Sequence, residues 1–452
     1  MKTYNLIIIG AGRAANLANK VAKAGKKVAL IEKSSLGGTC ANRGCVPSKL
    51  LIGYADVIRN IEGSKRHFIE SNITTIDIEK IFETNNDFIS SVDENYKQKL
   101  NENVDLYRGV GSFICDNIIE VNNERLTAQK IIIATGSSPK EPPFEKAWTS
   151  DDVFPIKKIP KSIAIVGSGF IACELANVFD ALGIKTKLLV RNQELLSNED
   201  EDIKDVFKSE FSSRIDIDFN TTVKDAKYEN NSFDVVLENI DGTTKNENYE
   251  VLLYAIGRQS NAEDLKLENT SIKVDEKGFI KRDEYFKTDA KDVFVVGDAA
   301  GEYMLQHAAA YEMNHLYKFL YEEEKEPLVF KYMPHAVFTT PEIASVGLTQ
   351  QEAIDKGYDF VISKTSWQAS AKAQATKLTY PFTKFIINKA NYEILGCHMI
   401  GPQSSTMIHQ VLTVMNIDND IRHLKDMLYI HPALSESLLV ASITAIKKIE
   451  KA

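Results

Sequence analysis

Long apolar runs are missing from this chain, so a membrane-spanning helix is not expected. Positive charge is also in short supply. Its 54 Lys and Arg face 63 Asp and Glu, for a net charge of −9. A surface of that sign does not suit phosphate backbones, so no nucleic-acid partner is expected. Cysteine is scarce, five in 452 residues and an odd number, which excludes a secreted disulfide scaffold. The opening MKTYNLIIIGAG lacks the basic region and small-residue cleavage site of a secretory signal, so a cytoplasmic protein is expected. At 452 residues the chain exceeds one core, and two or three domains are expected. The acidic run EDEDIKD at 199–205 reads as a solvated helix face.

What the chain does have is one pattern twice. Residues 4–33 and 161–192 each run apolar strand, glycine turn, helix, strand. Each is a βαβ unit with a dinucleotide fingerprint, in which glycines let the backbone approach a pyrophosphate held on the helix N-terminus. Gly10 and Gly12 open the first, Gly167 and Gly169 the second. The first is one residue shorter, which leaves its helix start and third small residue, Ala14 or Ala15, open. An acid at the end of the second strand accepts from ribose hydroxyls. In the first unit this is Glu32, which suits FAD. In the second, the same count reaches Val190, followed by Arg191. An arginine there binds a 2′-phosphate that a carboxylate would repel, favouring NADPH over NADH. The competing reading is a surface arginine at a strand end.

Further strand-plus-glycine stretches lie at KIIIATG (130–136), VLLYAIGR (251–258) and DVFVVGDAA (292–300). The first two read as crossings between domains. The third puts Asp298 just past a strand end, where parallel sheets bind ligands. Beyond Phe330, strand-like stretches precede helical ones, the pattern of a third, α+β domain with mixed strands.

The chemistry sits in GGTCANRGCVPSK at 37–49. Cys40 and Cys45 have no second pair, so a zinc knuckle and any other metal centre are not expected, and a redox disulfide is the better reading. Cys45 precedes a helix with Pro47 in its first turn, where the dipole stabilises a thiolate. Lys49 lies one turn on, on the same face. A buried lysine needs a counter-charge, and Glu174 in the second fingerprint helix is the candidate. His431 and Glu436 in YIHPALSE form a second candidate pair, an imidazole to take a thiol proton and a carboxylate to orient it.

These motifs, in this order, closely resemble the glutathione reductase–dihydrolipoamide dehydrogenase family, and within it look most like mycothione reductases. The resemblance implies an α/β fold with two Rossmann-like dinucleotide-binding domains plus a C-terminal α+β interface domain. Residues 1–147 and 259–328 would bind FAD, 148–258 the nicotinamide, and 329–452 would form an obligate homodimer. Cys45 would be the flavin-contacting thiol and Cys40 the interchange thiol, with Lys49 and Glu174 as the flavin-side ion pair. Gly38, Thr39, Ala134, Thr135, Gly136, Gly297 and Asp298 would join Gly10, Gly12, Glu32 and Lys49 in the FAD site. Gly257 would join Gly167, Gly169 and Arg191 on NADPH, with NADH as the other possibility. His431 and Glu436 would act as acid–base dyad on the other subunit's disulfide. The implied activity is NADPH-dependent reduction of a low-molecular-weight disulfide, mycothione- or glutathione-like. An NAD-dependent dihydrolipoamide dehydrogenase is the alternative; Val190–Arg191, Ala172 and Tyr429 argue against it. A non-catalytic flavin- or nucleotide-binding scaffold is the third reading, opposed by the presence of Cys40, Cys45, His431 and Glu436 together.

Overall fold

The computed structural model describes residues 1–451. The chain starts on β1 (Lys2–Ile9), whose last four residues are buried, as a central parallel strand requires. α1 (Ala14–Lys23) and β2 (Val28–Glu32) complete the first βαβ unit. α2 (Gly38–Asn42) and α3 (Cys45–Glu62) carry the cysteine motif, and α4 (Ile78–Lys97) lies against α3. β3 (Val104–Arg108), β4 (Ser112–Cys115), β5 (Ile118–Val121) and β6 (Glu124–Ile133) finish the sheet in the order β3-β2-β1-β6-β5-β4. From it β7 (Ser137–Pro139) leads out.

The second unit is β8 (Ser162–Val166), α5 (Phe170–Ala181), β9 (Lys185–Leu189), α6 (Glu201–Ser212) and β10 (Asp216–Asp218). β11 (Thr221–Glu229), β12 (Ser232–Asn239) and β13 (Thr244–Tyr249) form a separate antiparallel sheet. β14 (Val251–Tyr254) then closes the parallel order β10-β9-β8-β14. β15 (Arg258–Ser260) runs back antiparallel to β7, so the outgoing and returning chains cross side by side. β16 (Val293–Val295) rejoins the first sheet beside β6, and α7 (Gln306–Tyr321) follows against α1.

The last part holds β17 (His335–Val337), β18 (Ile343–Gly347), α8 (Gln350–Asp355), β19 (Phe360–Ser366), α9 (Ala371–Gln374), β20 (Phe382–Asn388) and β21 (Ile394–Ile400). α10 (Ser404–Ile417), α11 (Arg422–Asp426) and α12 (Glu436–Ile449) complete it. Its sheet, β17-β18-β21-β20-β19, is antiparallel at every pairing rather than mixed. The fold class is thus α/β, two nucleotide-fold sheets followed by an α+β unit. No helix of the described residues is long and apolar enough to cross a membrane.

The acidic run at 199–205 corrects its sequence reading. Glu199 and Asp200 are buried, not solvated. Asp200 caps α6 and takes Lys384 Nζ at 2.7 Å, with that lysine fully buried on β20. Glu199 takes His335 at 2.7 Å and Ser345 at 2.8 Å. Buried charges must be paired, and here the partners come from the third sheet, almost 140 or more residues along the chain.

Candidate active site

The cysteine motif is held on the first fingerprint by backbone contact. Gly38 has φ +60°, and a Cβ there would come within 2.7 Å of Gly12 Cα, so only glycine lets the start of α2 lie on the turn that opens α1. Gly37 N–H donates to Ala11 O at 2.9 Å across the same contact. The shorter first fingerprint starts its helix one residue later, with Arg13 rather than the second glycine as N-cap; Ala14 and Ala15 are both buried.

Cys40 sits within α2 and Cys45 is the first residue of α3. The two stand side by side as free thiols, close enough for a hydrogen bond from Cys40 to Cys45 to set their titration. That hydrogen bond draws the Cys45 thiol down to about 7; burial opposes it and the Lys49 charge helps. Keeping the shared proton, and burial, push Cys40 up. The helix dipole acts on Cys45 in the same sense. One turn along, Lys49 Nζ meets Glu174 Oε2 at 2.7 Å, and Glu174 Oε1 accepts Phe338 N–H at 3.0 Å. Burial pushes the Glu174 carboxyl up while Lys49 draws it down.

Two adjoining clefts meet at these thiols. The first is lined by Gly10, Gly12, Glu32, Gly38, Thr39 and Cys40 from the N-terminal unit, and by Ala134, Thr135, Gly136, Gly297 and Asp298 from the strand ends beside it. The second is lined by Cys40, Cys45, Lys49 and Glu174, and shares Thr39, Arg43, Asp298 and Gln306 with the first. The proposed flavin-site residues therefore converge on one continuous groove. Several features suit a dinucleotide there. A Cβ at Gly10 would meet Ala134 O at 2.2 Å, so the turn is as close to the next strand as backbone allows. Thr135 Oγ1 is buried with no protein partner. Glu32 is oriented by Ala11 N–H at 2.7 Å and Ser34 N–H at 2.8 Å, which leaves acceptor capacity for ribose hydroxyls.

The nicotinamide candidates lie apart from that groove. Gly167 and Gly169 form the β8–α5 turn, and Gly257 precedes β15. Gly169 lines a third cleft, toward β17 and β18, and Phe170 borders both this cleft and the one holding Cys45. Val190 is buried just past β9, whereas Arg191 is exposed and has no ion pair among the described residues.

His431 and Glu436 do form a pair. His431 Nδ1 lies 2.7 Å from Glu436 Oε1, and Glu436 Oε2 accepts Ala433 N–H at 2.8 Å. The imidazole holds the Glu436 carboxyl below the usual range. The His431 side chain is 76% exposed and lines neither cleft that holds Cys40 and Cys45.

Sequence reasoning passed over three groups. Arg258 donates through Nε to Ser137 Oγ at 2.8 Å, and Ser137 donates to Asp298 at 2.6 Å, linking the two crossings to the groove. Arg258 is the last residue of the AIGR stretch, so its position was visible but its partners were not. His335–Glu199 joins elements far apart in the chain. Arg13, next to Gly12, lines the first groove.

A pyridine nucleotide-disulphide oxidoreductase model matches residues 4–312, and the corresponding dimerisation-domain model matches 333–442. The chain is 33% identical to mycothione reductase of Mycobacterium tuberculosis, covering 96% of this chain and 98% of that protein. It is 32% identical to dihydrolipoyl dehydrogenase of Buchnera aphidicola, over 97% and 94%. Among solved structures, the HOCl-induced flavoprotein disulfide reductase RclA from Escherichia coli matches with a TM-score of 0.85 at 28% identity, over 96% and 98%.

Proposed function

Because the chain belongs to the pyridine nucleotide-disulphide oxidoreductase family, an FAD- and NAD(P)H-using group of enzymes acting on sulfur, we propose that it is an NADPH-dependent reductase of a low-molecular-weight disulfide, working as a homodimer. The observation that carries this reading is the Cys40–Cys45 pair at the meeting of the two clefts, with Lys49 and Glu174 beside it.

FAD bound in the groove would supply two-electron transfer between a nicotinamide and this pair. The chain's own residues do the rest. Lys49 holds positive charge beside Cys45 and adds to the Cys40 hydrogen bond in favouring its thiolate. Cys40 attacks one sulfur of the substrate, and the S–S bond breaks with release of the first thiol. His431 of the partner subunit takes the Cys40 proton during this attack and returns it to the departing thiol, with Glu436 orienting the imidazole. Cys45 then attacks Cys40, re-forms the internal disulfide and releases the second thiol. The balance is NADPH + H⁺ + RSSR to NADP⁺ + 2 RSH.

Three observations support the homodimer: the dimerisation-domain match, the exposure of His431 away from its own thiols, and uncovered apolar residues. Val46, Leu50, Tyr54 and Val57 form an exposed stripe on α3, and Leu428 and Ile430 beside the dyad are almost fully exposed. Exposed Arg191 supports NADPH. Dihydrolipoamide dehydrogenase is the second reading, favoured by the likeness to the Buchnera enzyme. Steady-state assays with NADPH and NADH against oxidised glutathione, mycothione, other small disulfides and lipoamide separate them. Turnover of a small disulfide with NADPH is expected; NADH-specific oxidation of dihydrolipoamide alone would favour the second reading.

A further inference from the structure

Five cations line the two clefts at the thiols, and four have partners. Lys33 is paired with Asp264 at 2.5 Å, Arg43 with Asp151 at 3.5 Å and Lys49 with Glu174 at 2.7 Å, while Arg258 donates to Ser137. Arg13 alone has no ion pair and no side-chain hydrogen bond among the described residues, and it is exposed. In a chain of net charge −9, a guanidinium without a protein counter-charge in the groove that reaches Cys40 is conspicuous. Its place follows from the backbone: the Gly12–Gly38 contact brings the start of α1 against the start of α2, and so sets Arg13 near Cys40. Cys40 lines the groove with Arg13, whereas Cys45 does not. The Arg13 charge acts to lower the Cys40 thiol, against the stronger upward effects of the Cys45 hydrogen bond and burial.

Resting on the disulfide-reductase reading above, we propose that Arg13 is a substrate anchor that selects disulfides carrying an anionic group, a carboxylate, close to the scissile S–S bond. A guanidinium binds carboxylate through paired, charge-assisted hydrogen bonds, and it can do so here without first giving up an internal partner. The same charge repels a cationic disulfide.

The test uses the full-length FAD-loaded protein, NADPH and three small disulfides that differ in charge: 3,3′-dithiodipropionate, bis(2-hydroxyethyl) disulfide and cystamine. The wild-type kcat/KM is expected to fall in that order, with about a tenfold or greater preference for the dianion over the dication. Arg13→Gln is expected to collapse that ratio, mainly through KM for the dianion. Arg13→Lys is expected to keep most of it. Bound FAD per chain, read from the visible spectrum, is expected to be the same in all three proteins. An unchanged ratio in Arg13→Gln overturns the proposal. So does loss of FAD from that variant, which would make Arg13 a clamp for the flavin's pyrophosphate. Turnover of all three disulfides without charge preference also overturns it while leaving the reductase reading intact. If none of the three is reduced although NADPH bleaches the flavin, the proposal fails, and the reductase reading fails with it only when oxidised glutathione and mycothione are not reduced either.

Discussion

Lys49 and Glu174 join two different nucleotide-fold units: the lysine lies on the helix that begins at Cys45, the glutamate on the helix that opens the second fingerprint, and their side chains meet at 2.7 Å. The contact fixes the helix that begins at Cys45 against the second nucleotide-fold unit. Glu174 is nearly enclosed, whereas Lys49 keeps about a third of its side chain in solvent. Losing the lysine therefore strands a buried carboxylate. Lys49→Met is expected to destabilise the protein by about 2 kcal/mol, below the full cost of breaking a wholly buried pair. Adding Glu174→Gln should restore about 1 kcal/mol, because the stranded charge is gone. Thermal unfolding of the single and double variants checks this; strictly additive losses would contradict it.

Ionisation of Cys45 gives a pH signature. Its thiol is drawn down to about 7, first by the hydrogen bond from Cys40 and then by Lys49. The reduced protein should hold mostly thiolate at Cys45 above that pH and mostly thiol below it. Cys40→Ala removes the larger cause and should move the midpoint up toward an ordinary thiol, near ~8.5. Alkylation rate at Cys45 against pH, in both proteins, reports the two midpoints. An unmoved midpoint would mean that Cys40 does not share its proton.

Subunit complementation tests the placement of His431. Cys40→Ser and His431→Gln proteins are each expected to lose nearly all turnover. If one chain's dyad serves the other chain's thiols, unfolding and reassembling an equal mixture makes mixed dimers with one intact site. Statistical pairing then returns about a quarter of wild-type activity. No recovery in confirmed mixed dimers would place the dyad in its own chain's site.

Nucleotide choice should follow Arg191. Replacing it with Glu puts a carboxylate where a 2′-phosphate would lie, and kcat/KM for NADPH is expected to fall at least ~10-fold while that for NADH does not fall. Equal losses with both nucleotides would return Arg191 to a surface role.

Much of this architecture was legible because its signals are local. Each fingerprint turn, the helix beginning at Cys45 and the one-turn spacing to Lys49 depend on residues close in sequence. Glu174 could be singled out because a lysine at a buried turn calls for an acid, and the second fingerprint helix offered one. What stayed hidden depends on contacts between distant segments. Glu199 and Asp200 looked like a solvated run because their partners, His335, Ser345 and Lys384, come from strands much later in the chain. Nothing in the sequence marked out Arg13; its place near Cys40 follows from the Gly12–Gly38 contact. The antiparallel third sheet was equally silent, since strand content does not fix pairing direction.

The most direct test follows the two thiols themselves. The purified, flavin-loaded protein is alkylated under denaturing conditions before and after anaerobic NADPH, and the peptide spanning residues 40 and 45 is weighed. It is expected to be unlabelled and two hydrogens lighter before reduction, and to carry two labels at Cys40 and Cys45 afterwards. Two labels in both samples, or none in either, would contradict a pair that opens and closes with the nicotinamide.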